Sequence, residues 1–312
     1  MTTLQQLEHW KQAGIIDDSQ CRTLSALVRK ERFSLFLELN GLLYLGVLSL
    51  AGGLGWTFRS HFERLGDVLI LAVLSILLVV SLYYCWSRSA RYSNQEVESS
   101  NFVVDYVLYL ACLLLSIELG YFEFRFGWLG DAWDSYLLFS SVVFFVLAYR
   151  FDNRFVLSLA LSSLAGWFGL TLSKVGFESS APLRVSALVY AFITALAGAF
   201  LYRQGIKKHF LEIYLHIAAN VTFLALVSGL SGDNELLFLA ALLLVSAASA
   251  VLGVRFQRFA FVVYGIVFGY AGISFEVLQG MKDTGVLAYF VVTGIAVILL
   301  IVFLARRFGR ED

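Results

Sequence analysis

Ten long apolar runs separated by short polar connections organise the chain from residue 35 to residue 305. Each is at or near the roughly 20 residues an α-helix needs to cross a hydrocarbon core about 30 Å thick. The expected spans are Leu35–Phe58, Val68–Trp86, Val103–Phe122, Ala132–Tyr149, Phe155–Val175, Val185–Tyr202, Leu211–Leu230, Leu236–Val254, Phe259–Val277 and Gly285–Ala305. The start of the fourth is blurred, because Asp131 and Asp134 follow closely on Trp128. This pattern predicts an all-α integral membrane protein of about ten transmembrane helices.

The segment ahead of the first run has a different rhythm. Leu4, Leu7 and Trp10 recur at helical spacing and Gly14 supplies a stop. After Ile15 and Ile16, Asp17 with Gln20 three residues on reads as a capping box, and Cys21, Leu24 and Val28 give a second apolar stripe. Residues 1–33 are therefore expected to form a short cytoplasmic helical hairpin. Such a piece is too small to build a large core of its own, so it needs a surface or a partner to dock on. Residues 34–306 form the expected transmembrane domain and 307–312 a cytoplasmic tail.

Leu7, Trp10, Gly14-Ile15-Ile16 and Gln20, followed by Gly46 and Gly52-Gly53 in the first run, carry a resemblance. The first third of the chain resembles a bacterial family of predicted membrane proteins, domain of unknown function 2157. Where members of that family often have an Asn-Trp pair after the first span, this chain has Gly55-Trp56. The resemblance implies a multi-pass protein and brings no catalytic residues with it.

Composition agrees with the pattern. Of the 312 residues, 59% are hydrophobic and 15% charged, with a mean hydropathy of +0.78. Soluble domains carry about 25% charged residues, so a bilayer is the expected partner. The formal net charge is zero, which gives no reason to expect a nucleic-acid partner. Cys21, Cys85 and Cys112 form neither a disulfide framework nor a metal-ligand spacing. The polar start lacks the apolar core of a cleaved signal, so the chain is expected to insert intact.

The distribution of charge gives the orientation. With the amino terminus in the cytoplasm, 17 of the 23 Lys and Arg residues fall on that side. All five even-numbered runs end within two residues of an arginine, and Trp86, Tyr149 and Tyr202 supply interfacial aromatics at three of those ends. The positive-inside rule then puts both termini in the cytoplasm, in a cell inner membrane.

Ionisable groups inside a bilayer cost about 2.5–3.5 kcal/mol at the helix centre, and so face protein or water. The seventh run carries Glu212, His216 and Asn220 at four-residue spacing, on one helical face. Counting about 1.5 Å per residue, His216 lies roughly 6 Å and Asn220 roughly 12 Å deeper than Glu212. Glu38 and Asn40 on the first run and Asp105 on the third enter from the same side. Together these six residues are the candidate lining of a polar intramembrane cavity, with His216 as the group suited to proton exchange. Acids near helix starts also simply favour the positive end of the helix dipole, and His216 and Asn220 serve equally as interhelical hydrogen-bonding groups. A second polar set, Trp56, His61, Glu118, Glu276 and Arg125, belongs to the opposite face.

Motifs for hydrolysis, phosphate binding, redox chemistry or metal binding are missing from the sequence, so neither a cofactor nor a metal is expected. Two functions remain in view. The first is a transporter-like protein working through the polar cavity. The alternative is a non-catalytic scaffold or accessory subunit that recruits a cytoplasmic partner through residues 1–33. Pro182, the only proline, is expected in a loop, and the ridge Ala187, Ala191, Ala195, Ala199 and the pair Gly265 and Gly269 are expected to pack helices closely.

Overall fold

The computed structural model describes residues 10–11, 17, 20–21, 36–90, 92–96, 102–132, 134–174, 180–232, 234–279 and 283–308. Among the described residues ten long α-helices follow one another: α1 Phe36–Leu65, α2 Asp67–Arg88, α3 Phe102–Phe126, α4 Ser135–Phe151, α5 Arg154–Lys174, α6 Ser180–Arg203, α7 Leu211–Ser228, α8 Glu235–Arg255, α9 Phe259–Gln279 and α10 Asp283–Phe308. They match the ten apolar runs one for one, and no strand occurs among the described residues. Eight are long and apolar enough to cross a membrane, while α4 and the Gly41–Gly53 part of α1 are shorter apolar stretches. The chain is a multi-pass, all-α membrane protein. Side chains such as Ile76, Phe192, Leu244 and Val292 are accordingly exposed on the helices, where lipid replaces water.

Several helices outrun their apolar runs, because a helix, once nucleated, continues through polar residues. α1 extends past Phe58 to Leu65, and Gly66, at φ +72°, lets the chain turn directly into α2. α6 begins at Ser180, so Pro182 lies in its first turn and not in a loop. Its missing N–H costs nothing there, since the first N–H groups of a helix have no intrahelical partner.

The chain divides into two compact units, Met1–Leu43 with Ser246–Asp312, and Tyr44–Val245. In the larger unit the helices pack as successive hairpins, α2 with α3, α4 with α5 and α6 with α7, and α5 also touches α3, α6 and α7. Its core joins Cys85 of α2, Leu108 and Cys112 of α3, Phe144 and Ala148 of α4, Leu157 and Ala160 of α5, and Tyr214 of α7. A satellite cluster packs Ile70 and Leu74 of α2 against Leu114 and Tyr121 of α3.

In the smaller unit α9 meets α10 through hydroxyl pairs, Tyr270 with Thr293 at 2.8 Å and Ser274 with Tyr289 at 3.0 Å. α9 also lies hard against the end of α8. A Cβ built on Gly265 would stand 2.4 Å from the Ser246 carbonyl oxygen, so the expected close approach at Gly265 is real and requires glycine.

Of the amino-terminal hairpin, the described residues hold its second helix start. Gln20 Oε1 accepts from the Asp17 N–H at 3.0 Å and Asp17 Oδ1 accepts from the Gln20 N–H at 2.7 Å, the reciprocal pattern of a capping box. The hairpin as a whole lies outside the described residues.

Candidate functional site

One end of the larger unit is tied together by buried charge. Three connections meet there: the loop between α2 and α3, the turn between α4 and α5, and the turn between α6 and α7. The α4–α5 turn consists of Asp152 and Asn153 alone. Asp152 adopts the left-handed conformation (φ 58°, ψ 38°), which aspartate tolerates better than most residues. Its N–H and that of Asn153 both reach the Ala148 carbonyl, closing the last turn of α4. Asn153 then opens α5, its Oδ1 accepting from the Val156 N–H at 2.9 Å.

The α6–α7 turn delivers the cations. Gly205 (φ 75°) and Lys207 (φ 44°) turn the chain back, and a single 3₁₀ turn, Lys208–Phe210, leads into α7. Lys207 Nζ lies 2.9 Å from Asp152 Oδ2, with side chains only 1% and 4% exposed. His209 Nε2 takes the other oxygen, Asp152 Oδ1, at 2.6 Å. Both carboxylate oxygens are thus held by cationic or N–H-bearing groups from one turn, which makes a buried charge tolerable.

The α2–α3 loop closes over the pair. Lys207 donates from its backbone N–H to the Asn94 carbonyl at 2.8 Å and from Nζ to the Gln95 carbonyl at 3.4 Å. Its ammonium also sits 5.5 Å from the Tyr92 ring centroid. Further along the same loop, Arg150 donates to the Ala90 carbonyl at 3.0 Å and Arg154 pairs with Glu96 at 2.6 Å. Beneath the clasp, Phe210 packs edge-on to Tyr149, whose hydroxyl meets that of Tyr214 at 3.0 Å.

Of the residues read from the sequence as cavity lining, Asp105 belongs to this end, where its Oδ1 accepts from the Asn153 amide at 3.0 Å. Glu212 and His216 come together along α7, Oε1 to Nε2 at 3.8 Å, and Asn220 turns back to donate to the His216 carbonyl at 2.8 Å. Glu38 and Asn40 lie in α1, with side chains outside the described set. On the opposite set, Glu118 and Arg125 share α3 and both close onto α2. Glu118 accepts from the Ser75 hydroxyl, and Arg125 Nε lies 2.7 Å from Asp67 Oδ2, with Tyr121 donating to Asp67 Oδ1 at 2.8 Å. Trp56 is exposed on α1 and Glu276 on α9, in different units, and the side chain of His61 lies outside the described set.

No sequence pattern marks Asp152, Lys207 and His209, because each sits in a connection where charged residues are ordinarily solvated. The usable signal was the α4–α5 connection itself, only two residues long and carrying an acid among arginines. Among the described residues no group of three His, Cys, Asp or Glu side chains is placed to hold a metal ion.

The resemblance of the opening residues is matched by a family model. Residues 8–157 match the family model described as "Predicted membrane protein (DUF2157)". The match covers the amino-terminal half of the chain, further than Leu7 to Gly53 alone, and takes in Asp105, Asp152 and Asn153 but not Lys207 or His209. Comparison with curated proteins gives no match, and comparison with solved structures gives none either. The family description names a predicted membrane protein, in keeping with the apolar helices of this half.

Proposed function

We propose that this protein is a non-catalytic membrane scaffold or accessory subunit, which holds its amino-terminal hairpin at the membrane for a cytoplasmic protein partner. One observation carries the reading. Each described polar group offered as a cavity lining makes a contact of a structural kind: Asp105 of α3 accepts from Asn153 at the start of α5, Glu212 and His216 pair along α7, and Asn220 donates to the His216 carbonyl. Groups used in this way brace a bundle.

Both termini face the cytoplasm of a cell inner membrane in this reading, supported by the 17 of 23 basic residues on that side. Gln204→Cys, in the α6–α7 turn, then reacts with an impermeant maleimide from the cytoplasmic side, and Trp128→Cys, past the end of α3, from the other. The reverse pattern overturns the orientation.

For the function itself, residues 1–32 are deleted and the full chain and the truncated chain are cross-linked in native membranes. The expected result is an unchanged melting temperature with loss of a specific cross-linked protein. The same cross-linked set from both chains defeats the scaffold reading.

A transporter-like activity is the second reading, favoured by the half-buried Glu212–His216 pair. A carboxylate beside an imidazole is a combination suited to carrying protons. In vesicles with an internal pH dye, proton-coupled flux that falls in both Glu212→Gln and His216→Ala establishes it. Vesicles no leakier than protein-free ones dismiss it.

A further inference from the structure

The ends of α2 and α4 carry a cation that the clasp uses for a single hydrogen bond. Arg150 stacks its guanidinium between two rings, with Cζ 4.9 Å from the Trp86 centroid and 5.2 Å from that of Phe151. The two rings meet edge to face at 6.3 Å, so the slot is built from the last turns of two different helices. One of the five guanidinium N–H donors is taken by the Ala90 carbonyl. Lys207 and Arg154 nearby are neutralised by Asp152 and Glu96, whereas no carboxylate pairs with Arg150 among the described residues.

The surface leading to this slot is apolar and open. Ile76, Val79, Tyr83 and Trp86 recur at three- and four-residue spacing on α2, and are 62%, 63%, 74% and 65% exposed. The stripe runs along a membrane span and stops at a stacked arginine, and Arg88 closes the same helix two residues beyond Trp86.

We infer that Trp86 and Arg150 form a seat for the phosphate of an anionic phospholipid, with its acyl chain lying along the Ile76–Tyr83 stripe. A planar guanidinium with free N–H groups binds phosphate through paired hydrogen bonds. Tryptophan at the end of a span sits at headgroup level, and basic pockets between spans are where anionic headgroups bind. The apolar approach selects a lipid over free phosphate, because only an amphiphile occupies both parts.

The test uses the full chain in neutral detergent, with native mass spectrometry counting retained phosphatidylglycerol against phosphatidylcholine. The wild type is expected to retain the anionic lipid preferentially, and Arg150→Gln to bind it about fivefold more weakly. Arg154→Gln, whose cation is already paired with Glu96, leaves retention unchanged. Arg150→Lys keeps the charge but not the fork, and is expected to fall between wild type and Arg150→Gln, with a melting temperature equal to wild type. Equal retention by wild type and both Arg150 variants overturns the inference. So does displacement of the lipid by millimolar inorganic phosphate, which points to a simple anion site.

Discussion

Lys207 Nζ and Asp152 Oδ2 stand 2.9 Å apart across two turns of the larger unit, both almost wholly withdrawn from solvent. Removing one member of such a pair leaves the other charged and buried, which costs about 3–5 kcal/mol. Asp152→Asn is expected to lower stability by that amount, measured by detergent-based unfolding followed through tryptophan fluorescence. Asp152→Asn combined with Lys207→Met removes both charges and is expected to recover most of the loss. A double variant as unstable as the single one shows that the pair is not the cause.

Asn153 joins three links, capping α5 through Val156, holding Asp105 of α3 and bonding Tyr44 of α1. Asn153→Ala removes all three and is expected to cost about 1–3 kcal/mol, chiefly a lost cap and a lost contact to the Asp105 carboxylate. Asp105→Asn keeps the cap and is expected to cost less. Melting temperatures of the two variants in one detergent decide the order.

Asp67 and Arg125 make the opposite case. Their side chains are 22% and 57% exposed, and a pair so open contributes about 0–1 kcal/mol. Arg125→Gln is expected to leave the unfolding midpoint nearly unchanged. A loss as large as that of Asp152→Asn contradicts this assignment.

On α9, two glycines one turn apart are predicted to behave differently. A Cβ on Gly265 meets the Ser246 carbonyl at 2.4 Å, whereas one on Gly269 meets only the Ser246 side chain at 3.4 Å. Gly265→Ala therefore forces α8 and α9 apart at a cost of about 1–3 kcal/mol, and Gly269→Ala much less. Equal unfolding of the two variants removes the argument for a tight helix contact there.

Cys85 and Cys112 have no exposed surface within the larger core. A maleimide is expected to leave both unmodified in the folded protein and to react as the bundle opens, so labelling rate reports unfolding. Fast labelling of either under native conditions is incompatible with this packing.

The helices were legible because each is a long apolar run, and length with hydropathy suffices when lipid is the solvent. The capping box at Asp17 and Gln20 was legible for a different reason, since it depends only on residues three apart. Helix ends such as Leu65 and Ser180 were not, because backbone hydrogen bonding carries a helix past its last apolar residue. The spacing of Glu212, His216 and Asn220 puts them on one face of α7, yet spacing says nothing of what a face meets; the Glu212–His216 pair and the bond from Asn220 to the His216 carbonyl run along the helix itself. The Asp152 cluster was invisible for the opposite reason. Its members come from turns far apart in sequence, where neither period nor hydropathy distinguishes a buried ion pair from a solvated loop.

The distance along the chain between those turns bears on biogenesis. Asp152 leaves the ribosome 57 residues ahead of His209, so α2 to α5 enter the bilayer while that carboxylate still lacks its nitrogen partners. Until the α6–α7 hairpin arrives, the aspartate must remain at the aqueous boundary, and the early helices are held by their apolar packing and by contacts such as Asp67–Arg125 and Asp105–Asn153. Arrival of the later turn then locks helices that were inserted before it, so insertion in this unit is completed from behind.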